Sequence, residues 1–554
     1  MERLKMDSLN ININDWFEKD LPATADWKLF ALASVVFVVL RFTCIVIYRI
    51  YFSPLSKFPG PKLAAATHLY ESYYDFWKKG QYYKVIQRMH EVYGPLVRVT
   101  PDELSINDPD YYDTVYVNGN VRRTESFGHS FGGGLGIEDT FFASQDHDLH
   151  RKRRKPIEPY FSRNGVLKLE NLIGERVEKL FHKFHELSGT GVVARLDYAF
   201  EAFTGDVMQH ICIEKPESLL NSDDFSSEWF EMLRNVSLSV PLMGMIPWLV
   251  HVLKFIPESV IMWLAPSAAH FQTFRVQAGR QIEQAKHEKV ENDRKGITTV
   301  GGKPTLFRFL VHESGLAPED LSTERLQKEA MVLLGGGTTT TARTATMTCF
   351  WMLSMPEKGQ RLRDELKDIM AEYPKKKPSL TELEKLPYLG AVIQESLRMA
   401  YGSMRRLPRT SPDVALQFKD WVIPPGASQE SASFLCSPHA NSFVPQTPVG
   451  MNAYYLHTDP NAFPEPFEYK PERWLGNVTP AMKRSFVPFS RGSRRCPGSS
   501  LALADLHFVL AALFGPTGPK FELFESDRSD VDAIHDYLMP LPRLDSKGVR
   551  VTVK

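Results

Sequence analysis

The sequence predicts a mainly α protein with small β-sheets, carried on a single N-terminal transmembrane helix. Three observations predict it. Apolar residues recur at helical spacing through 165–235 and 327–350. The strand-like pieces are short: Leu96-Val-Arg-Val99, Glu103-Leu-Ser-Ile106 and an alternating stretch from Lys520 to Lys554. An apolar run from Leu29 to Tyr48 has the length of one membrane span, ~20 residues.

Bulk composition removes several function classes. Of 554 residues, 43% are hydrophobic, enough for a large core and too many for a disordered chain. The 66 basic and 66 acidic side chains balance, which argues against nucleic acid as a partner. Cys44, Cys212, Cys349, Cys436 and Cys496 are odd in number, scattered and without CxxC spacing. They do not form a disulfide framework, and a reducing compartment fits them better.

Residues 1–28 are polar and acidic and read as a lumenal segment before the 29–48 anchor. Arg41 interrupts the apolar run at ~2.5–3.5 kcal/mol if it lies mid-span, less if it snorkels. The late start, with no small-residue cleavage site, disfavours a signal peptide. Arg49, Lys57 and Lys62 follow the run, so the positive-inside rule puts the large C-terminal part in the cytosol. The sequons at Asn235 and Asn477 would then go unused. Residues 49–62 form a stiff hinge in which Pro59 and Pro61 flank Gly60.

Beyond the hinge, 70–93 is helical and aromatic, and a Pro101-Asp102 turn joins the first two strands. The glycines of 119–137 fit neither a phosphate loop nor a dinucleotide fingerprint, and the stretch reads as a loop over a pocket. In 146–162 His150 and Arg154 share one helical face among further basic residues. The alternative there is a solvated charge run. Residues 240–266 are very apolar but carry Pro241, Pro247 and Pro257, which argues against a second span. They read either as a segment dipping into the membrane interface or as a buried hairpin.

Three glycines and seven threonines stand inside the helical pattern of 327–350. Interior glycine costs ~1 kcal/mol each, so three together imply close approach of something flat or a deliberate distortion. Glu395 and Arg398 share a helix face, and Pro471-Glu-Arg473-Trp lies downstream. Between them WVIPPG at 421–426 forms a turn, and 447–460 looks like a strand with its continuation. The intervening 427–446 is rich in Ser, Pro and Asn, without periodicity, and reads as an insertion: an exposed loop or a translated retained intron.

The chemistry concentrates at FSRGSRRCPG, residues 489–498. It sets Cys496 behind a basic, glycine-bearing turn and before an apolar helix. A thiolate there can ligate haem iron and promote O–O cleavage. Gly492 permits the turn, Arg494 can donate to a haem propionate, Phe489 can shield the sulfur, and Gly498 allows close approach of the next helix. The bland alternative is a buried structural cysteine.

The pattern Phe-x-x-Gly-x-Arg-x-Cys-x-Gly resembles the haem-binding signature of the cytochrome P450 family. That resemblance implies the family's mainly α fold over 63–554, as a haem-thiolate catalytic domain. It implies haem b with Cys496 as axial ligand, and His150 and Arg154 as propionate partners. Gly336 would face the haem, and Thr339 would help protonate bound dioxygen. Glu395, Arg398 and Arg473 would form the scaffold triad, and the turn at Tyr537–Pro542 would re-enter the pocket. One departure stands out: Thr338 occupies a place where the family usually has an acid. The anchor and KFPGPKLAAATHLY resemble fungal microsomal members that oxidise secondary metabolites. The expected activity is therefore oxygenation of a hydrophobic terpenoid or polyketide at the endoplasmic reticulum membrane. Electrons would come from NADPH through a reductase. Rearrangement without a reductase, and a haem protein impaired by the insertion, are the alternatives.

Overall fold

The structure is a computed structural model that describes residues 27–127, 136–214, 216, 218–246, 256, 260, 268–295, 305–425 and 447–554. The 427–446 stretch and most of 240–266 and 1–28 lie outside the described residues, as does the centre of the 119–137 loop.

The helices used below are α1 (Trp27–Ile47), α2 (Tyr82–Tyr93), α3 (His147–Arg154), α4 (Glu170–Glu186), α5 (Leu196–Cys212), α6 (Ser227–Met245), α7 (Ala268–Lys295), α8 (Thr323–Ser354), α9 (Pro387–Ala400) and α10 (Ser499–Phe514). With its π-helical extension α1 contains an apolar stretch of 24 residues, Leu29–Phe52, exposed along its length and long enough to cross a membrane. At 1.5 Å per residue it spans ~36 Å, against a hydrocarbon core of ~30 Å. The hinge docks on the body rather than swinging free. Arg98 N–H donates to Pro59 O at 2.7 Å, and Arg98 Nη1 donates to Arg49 O at 2.8 Å. Gly60 is required there: at φ +155° a Cβ would lie 2.5 Å from Arg98 O.

The core lies around α8 and α10. Helix α10 is predominantly apolar, with Asp505 and His507 as its buried exceptions, and is buried for most of its length. Helices α4, α5 and α9 contribute Phe184, Phe200, Phe203 and Val392 to the same core.

The sheets are small. β1 (Leu96–Arg98) and β2 (Leu104–Ile106) pair antiparallel with Leu96 opposite Ile106. With β3 (Glu125–Ser126), β5 (Arg409–Thr410) and β8 (Val449–Gly450) they make one sheet, ordered β1-β2-β8-β5-β3. A second sheet places β12 (Arg550–Val553) between β4 (Ala194–Arg195) and β9 (Phe521–Leu523). Two hairpins complete the set: β6 (Leu416–Phe418) with β7 (Trp421–Ile423), and β10 (His535–Tyr537) with β11 (Met539–Leu541).

Three local expectations change. The 70–93 helix is broken before α2, where Lys79 and Gly80 both take positive φ. Pro241 does not stop α6, which runs through it to Met245. The strand at 447–460 ends at Gly450: Asn452 accepts from Tyr454 N–H at 2.8 Å and caps a short helix, Ala453–His457.

Candidate active site

The cysteine loop is built as a cradle. Ser490 and Gly492 take positive φ, so the chain turns sharply and returns Cys496 N–H to Phe489 O at 2.9 Å. Gly492 has no substitute: a Cβ would lie 2.4 Å from Tyr116 O. Ser493 N–H donates to Val117 O at 3.1 Å, and Arg491 pairs with Asp113 at 3.0 Å, fixing both sides of the loop. Phe489 packs against the main core.

Cys496 is exposed, yet burial among protein groups pushes its thiol pKa up, opposed by the Gly498 N–H and by Arg154. Both facts hold if the sulfur faces an internal hollow rather than bulk water. Gly498 borders that hollow, since a Cβ there would meet only Cys496 Sγ, at 3.9 Å. The other described cysteines, Cys44, Cys212 and Cys349, are also free, but burial pushes Cys212 and Cys349 far toward the neutral thiol.

Behind the loop stands a buried charge lattice. Glu395 and Arg398, both on α9 and fully buried, pair through two bonds of 2.9 and 2.8 Å. Arg473 Nε adds a bond of 3.1 Å to Glu395, Trp474 Nε1 one of 2.9 Å, and the Lys470 N–H one of 3.0 Å. The three expected triad members therefore meet. Sequence reasoning missed Trp474 and also His457. His457 Nδ1 donates to Arg398 O at 2.8 Å, and its Nε2 accepts from Val487 N–H at 2.9 Å. It links α9 to the segment entering the cysteine loop. Burial and the adjacent Arg398 push its pKa down to about 3, so it stays neutral.

A cluster of cations and a histidine forms the second part. His150 is buried on α3; its Nδ1 donates to Phe141 O at 2.6 Å and its Nε2 has no partner. Burial, then Arg494, pushes its pKa down to about 3. Glu329 of α8 accepts from the Phe141 N–H at 3.1 Å, so α8 holds the residue that orients His150. Arg154 donates to Glu158 at 2.8 Å and to Arg495 O at 2.7 Å. Arg494 spends two nitrogens on Ser144 and Gln145 carbonyls at 2.6 and 2.7 Å, leaving its Nε unpartnered. Burial, then Arg409, lowers its pKa to about 9. Arg409, which the sequence reading missed, lies on β5 with its pKa lowered by burial. Neither Arg409 nor Arg494 has a carboxylate partner among the described residues. Partly buried cations that make no ion pair suit an anionic group beside them.

The residues of α8 are mostly buried, while Gly336 and Thr340 are exposed. A Cβ on Gly335 or Gly336 would touch nothing within 4 Å. Gly337 serves a different end: a Cβ would lie 2.6 Å from the Met208 side chain of α5. Thr338 is buried, with its hydroxyl on Leu334 O at 2.6 Å; Thr340 bonds Gly336 O at 2.9 Å. The helix remains α-helical throughout despite these back-bonds. Thr339 lines a cavity that the β11 segment closes with Leu541 and Pro542.

These observations fit a haem. A free thiol stands in the cradle, arginines without ion pairs suit propionates, the unpartnered His150 nitrogen can join them as a donor when its ring is protonated, and two glycines leave space on α8.

Comparison with known proteins agrees. The profile of the family described as Cytochrome P450 matches residues 64–429 and 442–527, and its interruption falls inside 427–446. The chain is 46% identical over 539 residues to "Cytochrome P450 monooxygenase oblB" of Emericella variicolor, covering 96% of this chain and 95% of that protein. It is 44% identical to "Fusicoccadiene C-8 hydroxylase" of Phomopsis amygdali, over 95% of this chain and 97% of the relative. To "Stellatic acid synthase" of Emericella variicolor the identity is 39%, with 95% and 94% covered. With a cysteine cradle, its charge lattice and full-length relatives all in agreement, the chain belongs to the cytochrome P450 family.

Proposed function

We propose that the chain is a membrane-anchored haem-thiolate monooxygenase that hydroxylates or oxidises a terpenoid or polyketide skeleton in secondary metabolism. The observation that carries this reading is the free Cys496 thiol in its glycine-turned, arginine-flanked cradle, together with the open backbone of Gly335 and Gly336 on α8. The relatives' names support the reaction class: one is a hydroxylase of fusicoccadiene, another a synthase of stellatic acid.

The haem, when bound, supplies thiolate-ligated iron that activates dioxygen and transfers one oxygen atom to the substrate. Cys496 Sγ would hold the iron, with the Gly498 N–H and Arg154 favouring its thiolate. Arg154, Arg409 and the Nε of Arg494 would receive the propionates, and the unpartnered Nε2 of His150 would join them as a donor once the propionates draw a second proton onto its ring. Phe489 keeps water from the sulfur, Gly498 and Gly336 leave room for the ring, and Thr339 holds a proton on the oxygen side. Glu395, Arg398 and Arg473 keep the loop in place.

NADPH supplies the electrons through a flavoprotein reductase, which docks on the basic face formed by Arg151, Lys152 and Lys155. The 29–52 helix anchors the protein in the endoplasmic reticulum membrane, with 49–62 orienting the catalytic part. The test is turnover in membranes holding the reductase, with a panel of cyclic terpene hydrocarbons and polyketides under isotopically labelled dioxygen. One product carrying a single labelled oxygen, formed only with NADPH, is expected. Conversion that needs neither NADPH nor dioxygen would overturn the monooxygenase reading.

A further inference from the structure

Helices α5 and α8, with the β11 segment, enclose a cavity of about 90 Å³ beside Thr339. Liquid water occupies ~30 Å³ per molecule, so the cavity has room for a short water chain. It reaches from Thr339 to Asp530 and to the exposed Arg543. Glu201 of α5 projects into it. The residue is 2% exposed, its Oε2 has no partner, and its carboxyl group shares the cavity wall with Thr339, whose hydroxyl acts to lower its pKa.

Burial pushes Glu201 toward its neutral form, and the charges nearby do not offset it. Arg195 is engaged by Asp197, and Arg234 by Glu231 at 3.5 Å and by Leu544 O at 2.6 Å. Arg343 gives Nη2 to Val531 O at 3.0 Å, and Arg543 lies 3.9 Å from Asp530. No arginine pairs with Glu201 among the described residues. Burial raises its pKa well above the usual carboxylate range; the Thr339 hydroxyl and Arg195 oppose this, while Asp197 and Glu231 add to it.

The same crossing explains why α8 carries no acid next to Thr339. Thr338 is fully buried, and its carbonyl accepts from Thr204 Oγ1 of α5 at 3.0 Å. A Cβ on Gly205 would lie 3.6 Å from Thr338 Cγ2. A carboxylate at 338 would have to be buried in this helix crossing. Glu201 lies one helical turn before Gly205 on the partner helix and approaches Thr339 from the side.

We propose that Glu201 is a relay and positioning residue that supplies protons to the Thr339 hydroxyl from α5, in place of an acid on α8. This rests on reading Thr339 as the oxygen-side threonine. Glu201 gives its carboxyl proton to Thr339 Oγ1 as Thr339 releases its own hydroxyl proton toward the space over Gly336. The carboxylate then regains a proton from cavity water, which solvent replenishes at Arg543. No electrons move, and the protein's charge is unchanged after one cycle.

Infrared difference spectroscopy and product coupling test this together. The wild-type holoenzyme should show a carboxylic-acid C=O stretch at neutral pH that shifts in D2O, disappears in Glu201→Gln and moves in Thr339→Ala. Glu201→Gln should cut product formed per NADPH consumed by about tenfold or more, with a matching rise in hydrogen peroxide. Glu201→Asp, which keeps an acid on a shorter arm, should recover part of that coupling. Absence of the band, or a band indifferent to Thr339→Ala, overturns the contact. Full coupling in Glu201→Gln, with Thr339→Ala uncoupled, overturns the relay and leaves the Thr339 reading standing. Full coupling in both variants overturns the Thr339 reading itself.

Discussion

The cysteine side and the α8 side of the hollow are held by opposite means. Behind Cys496, Glu395 accepts from Arg398, Arg473, Trp474 and the Lys470 N–H, and His457 carries that lattice on to Val487. On α8 the hydroxyls of Thr338 and Thr340 bond only their own helix, and a Cβ on Gly335 or Gly336 would meet nothing within 4 Å. The difference follows from the work each side does. A metal ligand must be held in one place, which a network of charged groups achieves at the cost of desolvating them. A surface that admits oxygen, substrate and protons needs space and few fixed partners.

The sharpest way to break the contrast is to remove charge from the rigid side. Glu395→Gln leaves Arg398 and Arg473 buried without their anion, a loss of about 3–5 kcal/mol. We expect chemical denaturation to show that loss together with failure to retain haem, whereas Thr340→Ala on α8 should leave both nearly unchanged. Equal effects of the two substitutions would erase the distinction.

A smaller, graded effect comes from pH. His457 and His150 both have folded pKa values near 3, against about 6.5 when unfolded. The unfolded chain therefore binds more protons below pH 6.5. The stability these residues contribute is complete above that value and is lost progressively as pH falls toward 3. Melting temperature followed from pH 7.5 to 4.5 should decline below pH 6.5, and less steeply in His457→Gln. An unchanged slope in that variant would remove His457 as a source of the acid sensitivity.

The same contrast decides what could be read from sequence. Cys496, Gly492, Glu395, Arg398 and Arg473 stand in contiguous motifs because neighbouring residues build each piece of the rigid side, and the structure brings the charged three together. His150 and Arg154 were legible as one helix face. Arg409 was missed because its role depends on β5 crossing near α3, a contact distant in sequence. Glu201 was missed for a similar reason: nothing in its neighbourhood marks an acid on α5 as a partner of a threonine on α8. The strand assigned to 447–460 failed on local chemistry, because Asn452 caps a helix there. The mainly α fold and the N-terminal apolar helix were legible from periodicity and run length, although that helix continues to Phe52 rather than ending at Tyr48.

The central claim is that Cys496 ligates haem iron as a thiolate. The direct measurement is the difference spectrum of the reduced protein with and without carbon monoxide, for wild type and for Cys496→Ser, each carrying bound haem. The account predicts the red-shifted Soret band of thiolate ligation in the wild type and its loss in the variant. Persistence of that band in Cys496→Ser, or its absence from the wild type, would contradict it.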